Sequence, residues 1–311
     1  MLMQQRNHTA KTLLLCLVCT FFWGAGYPVL KLSYTHWAIA SADVTGKLLF
    51  AGVRFLLAGA FLWVFAALRH RRIVLPEKKA LPKTALLGIC QTTLQYGLLY
   101  IGLANTSGSK GSVLNQICIF LTVLLTPLFF KSEKLTLRKI LGCVLGFGGI
   151  VAMNLTGLSF QLEFGDGIVL LSSCCAAAGY LISKGMPKGS DALISTAYQQ
   201  LFGGLILLAA GLVTGGKLNQ VNWPGVGCLA FSVLAAAVAY SIWFYLLQHN
   251  DAGKVSVYKF MTPIFGVLFS GLLLEEPVWT PENGIALTLV CVGIIVVNGK
   301  RSVKKLKEEK V

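Results

Sequence analysis

Apolar stretches of about twenty residues follow one another along nearly the whole of this chain, parted only by short polar breaks. Twenty residues at ~1.5 Å each cross the ~30 Å hydrocarbon core of a bilayer. In that core only helices and closed barrels bond every backbone N–H and C=O, and runs this long exceed any barrel strand. The pattern therefore predicts an all-α, polytopic membrane protein. Charge agrees with it: 13% of the 311 residues are charged and 55% hydrophobic, where a soluble domain carries about a quarter charged. The formal net charge of +15 does not point to nucleic acid, because the basic residues sit between apolar runs and not on a soluble face.

Ten transmembrane helices are expected, near residues 12–33, 47–68, 83–104, 110–130, 138–156, 166–184, 191–213, 223–247, 254–274 and 283–299. Arg6 and Lys11 ahead of the first run resemble a signal peptide. That run is too long for one and lacks a convincing cleavage site, so it reads as a retained helix. No soluble domain is expected. Lys and Arg in short loops stay cytoplasmic. Twenty-one of them fall on one side of the expected bundle, against Lys31, Lys47, Lys110 and Lys217 on the other. Both termini are thus expected in the cytoplasm, at the plasma membrane, with the basic tail 300–311 against anionic lipid.

The chain also repeats itself. Gly26-Tyr-Pro-Val-Leu-Lys31 and Gly179-Tyr-Leu-Ile-Ser-Lys184 share three residues at identical spacing, 153 positions apart. Tyr96 and Tyr240 are 144 apart, as are Lys110-x-Ser112-Val113 and Lys254-x-Ser256-Val257. Arg54-Phe-Leu-Leu-Ala-Gly59 aligns loosely with Gln199-Gln-Leu-Phe-Gly-Gly204. In one consistent order these matches predict two five-helix repeats, 12–156 and 166–299. Five is odd, so the second copy enters the membrane from the opposite face. Inverted repeats build secondary transporters with a substrate site near the midplane, between the halves.

Phe21-Phe-Trp-Gly-Ala-Gly-Tyr-Pro28, Arg54-Phe-Leu-Leu-Ala58 and the helices of Pro127 and Pro263 resemble the EamA-type branch of the drug/metabolite transporter superfamily. So do the helix-ending Glu133-Lys-Leu-Thr136 and Glu276-Pro-Val-Trp-Thr280. The resemblance spans roughly 12–299 and implies a ten-helix carrier of small metabolites. It leaves the metabolite open, since that superfamily handles amino acids, nucleobases, sugars and drugs. It also implies a structural role for Arg54, for which snorkelling, carbonyl pairing and ligand contact all remain readings of the residue itself.

Polar residues at membrane depth face protein or a water-filled cavity. Gln91, Gln95, Asn115, Gln116 and Gln199 read either as interhelical hydrogen-bonding groups or as a cavity wall for a polar solute; Gln91 and Gln95 share a helix face. Trp23, Tyr96, Tyr240, Trp243 and Tyr258 are candidates for the apolar part of that wall, and Tyr27 and Tyr180 for paired gates. Lys259 either snorkels to the cytoplasmic surface or attracts a substrate carboxylate or phosphate. Gly24, Gly26, Pro28, Pro127, Gly142, Gly146, Gly179 and Pro263 read as close-packing or hinge positions.

Absences narrow the class. All twelve acids lie in loops, tails or helix ends. A proton-driven exporter of hydrophobic cations needs a carboxylate at membrane depth, so a neutral, zwitterionic or anionic metabolite is expected, plausibly an amino acid or related compound. Drug or toxic-compound efflux on the same fold is the alternative. An intramembrane enzyme would need His-Glu-x-x-His or paired intramembrane aspartates, and neither is present. The nine cysteines lie in or beside apolar runs and the four histidines lack metal-ligand spacing, so no disulfide framework, metal or cofactor is expected. The expected partners are a small-molecule substrate and the lipid bilayer.

Overall fold

Backbone polar groups in an apolar run have no water to bond, and the chain meets that demand with helices alone. The computed structural model describes residues 2–155, 161 and 163–299, and among these no strand occurs. In the first half, α1 (Leu2–His36) and α2 (Val44–His70) are continuous. Then α3 (Leu81–Leu87) passes through a π-helical segment (Gly88–Leu94) into α4 (Gln95–Leu103). A break at Gln116 separates α5 (Gly108–Asn115) from α6 (Ile117–Phe129), and α7 covers Leu137–Met153. The second half holds α8 (Phe164–Lys184), α9 (Ala192–Val213) and α10 (Trp223–His249). It ends with α11 (Ala252–Val257), a 3-10 turn (Tyr258–Phe260), α12 (Met261–Leu274) and α13 (Pro281–Asn298).

Among the described residues nine helical stretches are long and apolar enough to cross a membrane. The 17-residue α7 is not one of the nine; it is about 25 Å long at ~1.5 Å per residue. Three differences from the sequence expectation have physical causes. Helix α1 starts at Leu2 and not near 12, because the polar lead-in contains no Gly or Pro to stop it. The run 254–274 is interrupted just before Pro263, which has no N–H to return to the Lys259 carbonyl. The run 83–104 widens into a π segment where Gly88 packs on the Gln199 backbone. The basic tail 300–311 lies outside the described residues.

Side chains start the helices. Asp43, Ser107, Thr136, Asp191, Asn222, Asp251 and Thr280 each accept a first-turn backbone N–H, contacts worth about 1 kcal/mol apiece. Within the apolar spans, hydroxyls donate one turn back: Thr20 to the Cys16 carbonyl, Ser33 to Val29, Thr122 to Cys118. These three hydroxyls are thereby carried through lipid with their donors satisfied.

The most extensive helix contacts join one half to the other: α2 with α9, α7 with α13, α1 with α10 and α12, α4 with α8. Without a hydrophobic drive between helices in lipid, small residues permit such approach. A Cβ on Gly24 would collide with Phe265 and the Thr262 carbonyl, and one on Gly142 with Val297 and the Gly293 carbonyl. Gly146 is likewise covered by the Phe260 ring and Gly179 by Gln91. Gly26 departs from the packing role expected of it: nothing lies within 4 Å of where its Cβ would stand, because it faces a cavity. Pro28 and Pro127 lie inside α1 and α6.

Candidate functional site

Between the halves, α1, α2, α4, α5, α10 and the α11–α12 break enclose a cavity of about 360 Å³. Lys31 and Lys47 stand at its mouth and Lys259 at its floor. Much of the wall is aromatic. Trp23 meets Tyr240 edge-on at 5.4 Å between ring centres, and the Tyr240 and Tyr96 hydroxyls are 2.7 Å apart. The Tyr96 ring lies 4.7 Å from Phe55, which fixes its orientation by edge-to-face packing.

Among the described residues four cations line this chamber and no carboxylate does. Arg54 is only 6% exposed; its guanidinium sits over the Phe55 ring at 4.5 Å and the Tyr96 ring at 5.3 Å. Its Nε has no hydrogen-bond partner, and it makes no ion pair among the described residues. Lys259 does not snorkel. Its Nζ donates to the Tyr180 hydroxyl at 2.5 Å and approaches Cys118 Sγ at 3.6 Å, with the Trp23 ring 5.5 Å away. Beyond it Trp243, Phe244, Leu247 and Val255 are fully buried and plug the bundle.

Seven of the thirteen sequence candidates line the cavity: Trp23, Tyr27, Gln95, Tyr96, Asn115, Tyr240 and Lys259. The other six are buried in helix contacts. Gln91 donates to the Gln95 side chain and covers Gly179, while Gln199 accepts from Thr92 Oγ1 at 2.8 Å. Gln116 is enclosed at the α5–α6 break. Tyr180 and Trp243 stand behind Lys259 and Trp23, and Tyr258 belongs to the same core. These six face neighbouring helices and not the chamber, and Gln91 Oε1, Gln116 Oε1, Gln199 Nε2 and Trp243 Nε1 are buried there without a hydrogen-bond partner. Tyr34, Tyr100, Lys47, Ser232 and Thr262 also line the chamber and were not singled out. Only Tyr100 had a legible signal, one helical turn past Tyr96.

The two ends of the bundle differ. At the end opposite the mouth, Glu133 is buried with Lys184 at 3.0 Å and Lys139 at 3.7 Å. Its carboxylate also accepts the backbone N–H of Ala252 at 2.8 Å and of Gly253 at 3.4 Å, so it caps the start of α11. Lys139 pairs in turn with Asp251 at 2.8 Å. Burial pushes the Asp251 carboxyl up, but hydrogen bonds from Lys139 and from the Lys254 N–H outweigh it and hold it below its ordinary value. At the mouth the corresponding pair is thin: Lys31 and Glu276, 2.7 Å apart, with side chains 65% and 46% exposed. Beside them a second cavity of about 500 Å³ shares Tyr27 with the first and is edged by Ser270, Glu276 and Asn283. At the same end Lys110 ties α5 to α8 through Asp166 at 2.8 Å.

Apolar helices that repeatedly cross a bilayer around a solute-sized chamber with charged walls define a multi-pass membrane protein built to admit a solute. The chain belongs to the EamA-like transporter family, whose model matches residues 10–155 and again 163–299. It is 28% identical to the uncharacterized transporter YvbV of Bacillus subtilis (strain 168), over 97% of this chain and 96% of that one. A WAT1-related chloroplastic protein of Arabidopsis thaliana is 29% identical, covering 88% of this chain and 67% of its own. The uncharacterized inner membrane transporter YedA of Escherichia coli (strain K12) is 26% identical over 87% and 86%. A solved crystal structure superposes with a TM-score of 0.77 over 97% of this chain and 99% of its own, at 15% identity, a likeness of fold. The protein is thus a membrane transporter and not an enzyme.

Proposed function

We propose a secondary transporter of small metabolites that works by alternating access in the plasma membrane. It would comprise ten transmembrane helices in two inverted five-helix repeats, α7 being the tenth span, with both termini cytoplasmic. The observation that carries this reading is that equivalent residues of the halves are open at one end and shut at the other. Tyr27 is 49% exposed and Tyr180, its counterpart, 1%. Gly26 faces open space while Gly179 is covered by Gln91. Lys31–Glu276 is exposed where Lys184–Glu133 is buried. Ser270 and Asn283 edge the second cavity, whereas their counterparts Thr126 and Lys139 are buried.

The duplication itself is supported by contacts that survive exchange of the halves. Gly59 packs on Leu201 and Gly204 on Leu56; Gly142 packs on Gly293 and Gly149 on Ala286. The helix breaks at Gln116 and at Tyr258–Phe260 fall at equivalent places, as in transporters whose discontinuous helices frame the substrate. On the Lys and Arg distribution, the cavity mouth faces outward and the Glu133 cluster seals the inner face. Exchange of the two arrangements would close the mouth and open the cluster.

The test has two arms. Cysteine labelling from either side of intact cells should reach the loop after α1 from outside and the loop after α8 from inside. Labelling of both from one side excludes inverted repeats. Purified protein in liposomes should move some member of a broad metabolite panel under a solute or ion gradient, and movement of none counts against transport.

A further inference from the structure

A buried cation without an anionic partner costs several kcal/mol, a cost that a bound anion would offset. The cavity holds two such charges. Arg54 has rings beneath it, an unbonded Nε and no ion pair among the described residues. Lys259 has only neutral partners, the Tyr180 hydroxyl and the Cys118 thiol. No Asp or Glu lines the chamber. Glu276, in the neighbouring cavity, is already bonded to Lys31. The two cations are joined by a row of rings. Arg54 lies 5.3 Å from Tyr96, whose hydroxyl meets that of Tyr240; Tyr240 meets Trp23 edge-on, and Trp23 lies 5.5 Å from Lys259.

From this geometry we propose that the cavity selects small organic anions, a carboxylate or phosphate ester on an apolar body, held between Arg54 and Lys259. The inference rests on the transport reading and narrows its substrate class. An apolar body lies along the Tyr96–Tyr240–Trp23 row while its anionic group meets a cation at the end of that row. An amine finds no carboxylate and is repelled by both cations. A zwitterion is attracted at one end and repelled at the other, so the amino acids admitted by the sequence become poor ligands. At about 360 Å³ the chamber has the volume of about a dozen waters, at ~30 Å³ each, which suits a solute of metabolite size.

The experiment uses full-length protein in phosphatidylcholine nanodiscs, where no anionic lipid competes. The probes share one phenyl body: phenylacetate, phenyl phosphate, phenylacetamide, phenylalanine and phenethylamine. Binding is followed by tryptophan fluorescence and thermal shift. At least one anion should bind saturably and about tenfold more tightly than the amide, with no binding of the amine. K259M and R54Q should each weaken the anion about tenfold, while K259R and R54K stay within about threefold; the charge-keeping pair separates lost charge from misfolding. Equal binding of amide or amine, anion affinity indifferent to K259M and R54Q, or no anion binding to the folded protein overturns the proposal. Anions that bind as expected but are not carried into liposomes would sink transport and leave the anion site standing. Transport of a neutral solute without anion binding would do the reverse.

Discussion

On the proposed alternating-access reading, replacing Glu133 by Gln should unlatch the end of the bundle opposite the cavity mouth, the inner end in that reading. The carboxylate is 4% exposed, sits 3.0 Å from Lys184 and 3.7 Å from Lys139, and caps α11 through two backbone N–H groups. Removing one partner of a buried ion pair costs about 3–5 kcal/mol, because the other charge stays buried and alone. Gln keeps the shape and can still accept an N–H, so the lower figure applies. About 3 kcal/mol is roughly a 150-fold change in the ratio of inner-closed to inner-open protein. A preference of about 100:1 for the closed inner end would fall to near parity. The reporter is Ser183, which is fully buried, whereas Leu30, its counterpart on the proposed duplication, lines the cavity. Maleimide labelling of S183C in nanodiscs, followed by peptide mass spectrometry, should accelerate about 50-fold when E133Q is added. E276Q breaks only an exposed pair, worth about 0–1 kcal/mol, and should change that rate by less than about fivefold. A rate within twofold of the parent, in E133Q protein that remains folded, would refute the latch.

G24V should lower thermal stability by about 1–3 kcal/mol through overpacking against Phe265, whereas G26A, whose new methyl meets nothing, should leave the melting temperature unchanged; a melting curve of each variant in detergent decides. The depressed Asp251 carboxyl adds stability that is fully present above its unfolded value of about 3.9 and is lost as pH falls through the lower folded value. Acid-unfolding curves of the parent should therefore steepen below about pH 4, and D251N should be flatter there; identical slopes would dismiss the linkage.

The fold was largely legible because a bilayer leaves a chain so few options. Apolar length alone points to the nine candidate spans among the described residues, while the pairing of motifs such as Tyr96 with Tyr240 belongs to the proposed duplication. What periodicity could not resolve was direction at depth. Gln91 and Gln95 sit one helical turn apart on the same face, yet Gln91 turns into the α8 contact and Gln95 onto the chamber. Both residues satisfy the same rule about polar groups in lipid, and only the neighbouring helix decides between them. For Arg54 the sequence leaves snorkelling, carbonyl pairing and ligand contact open, and only the family resemblance favours a structural role. Its exposure to the chamber depends on Tyr34, Tyr96 and Tyr100 converging from two other helices, which no local pattern announces. The inner ion cluster was hidden for the same reason, since Glu133, Lys139, Lys184 and Asp251 come from four separate segments.

One contact stands apart from all the others. On the proposed duplication Tyr96 and Tyr240 are each other's counterparts, and their hydroxyls touch. Every off-axis pair in such a machine must trade environments when the two faces swap roles, but residues that meet their own duplicate have nothing to trade. If the proposed exchange takes place, their bond would be its fixed point, a fulcrum that stays joined while everything around it turns.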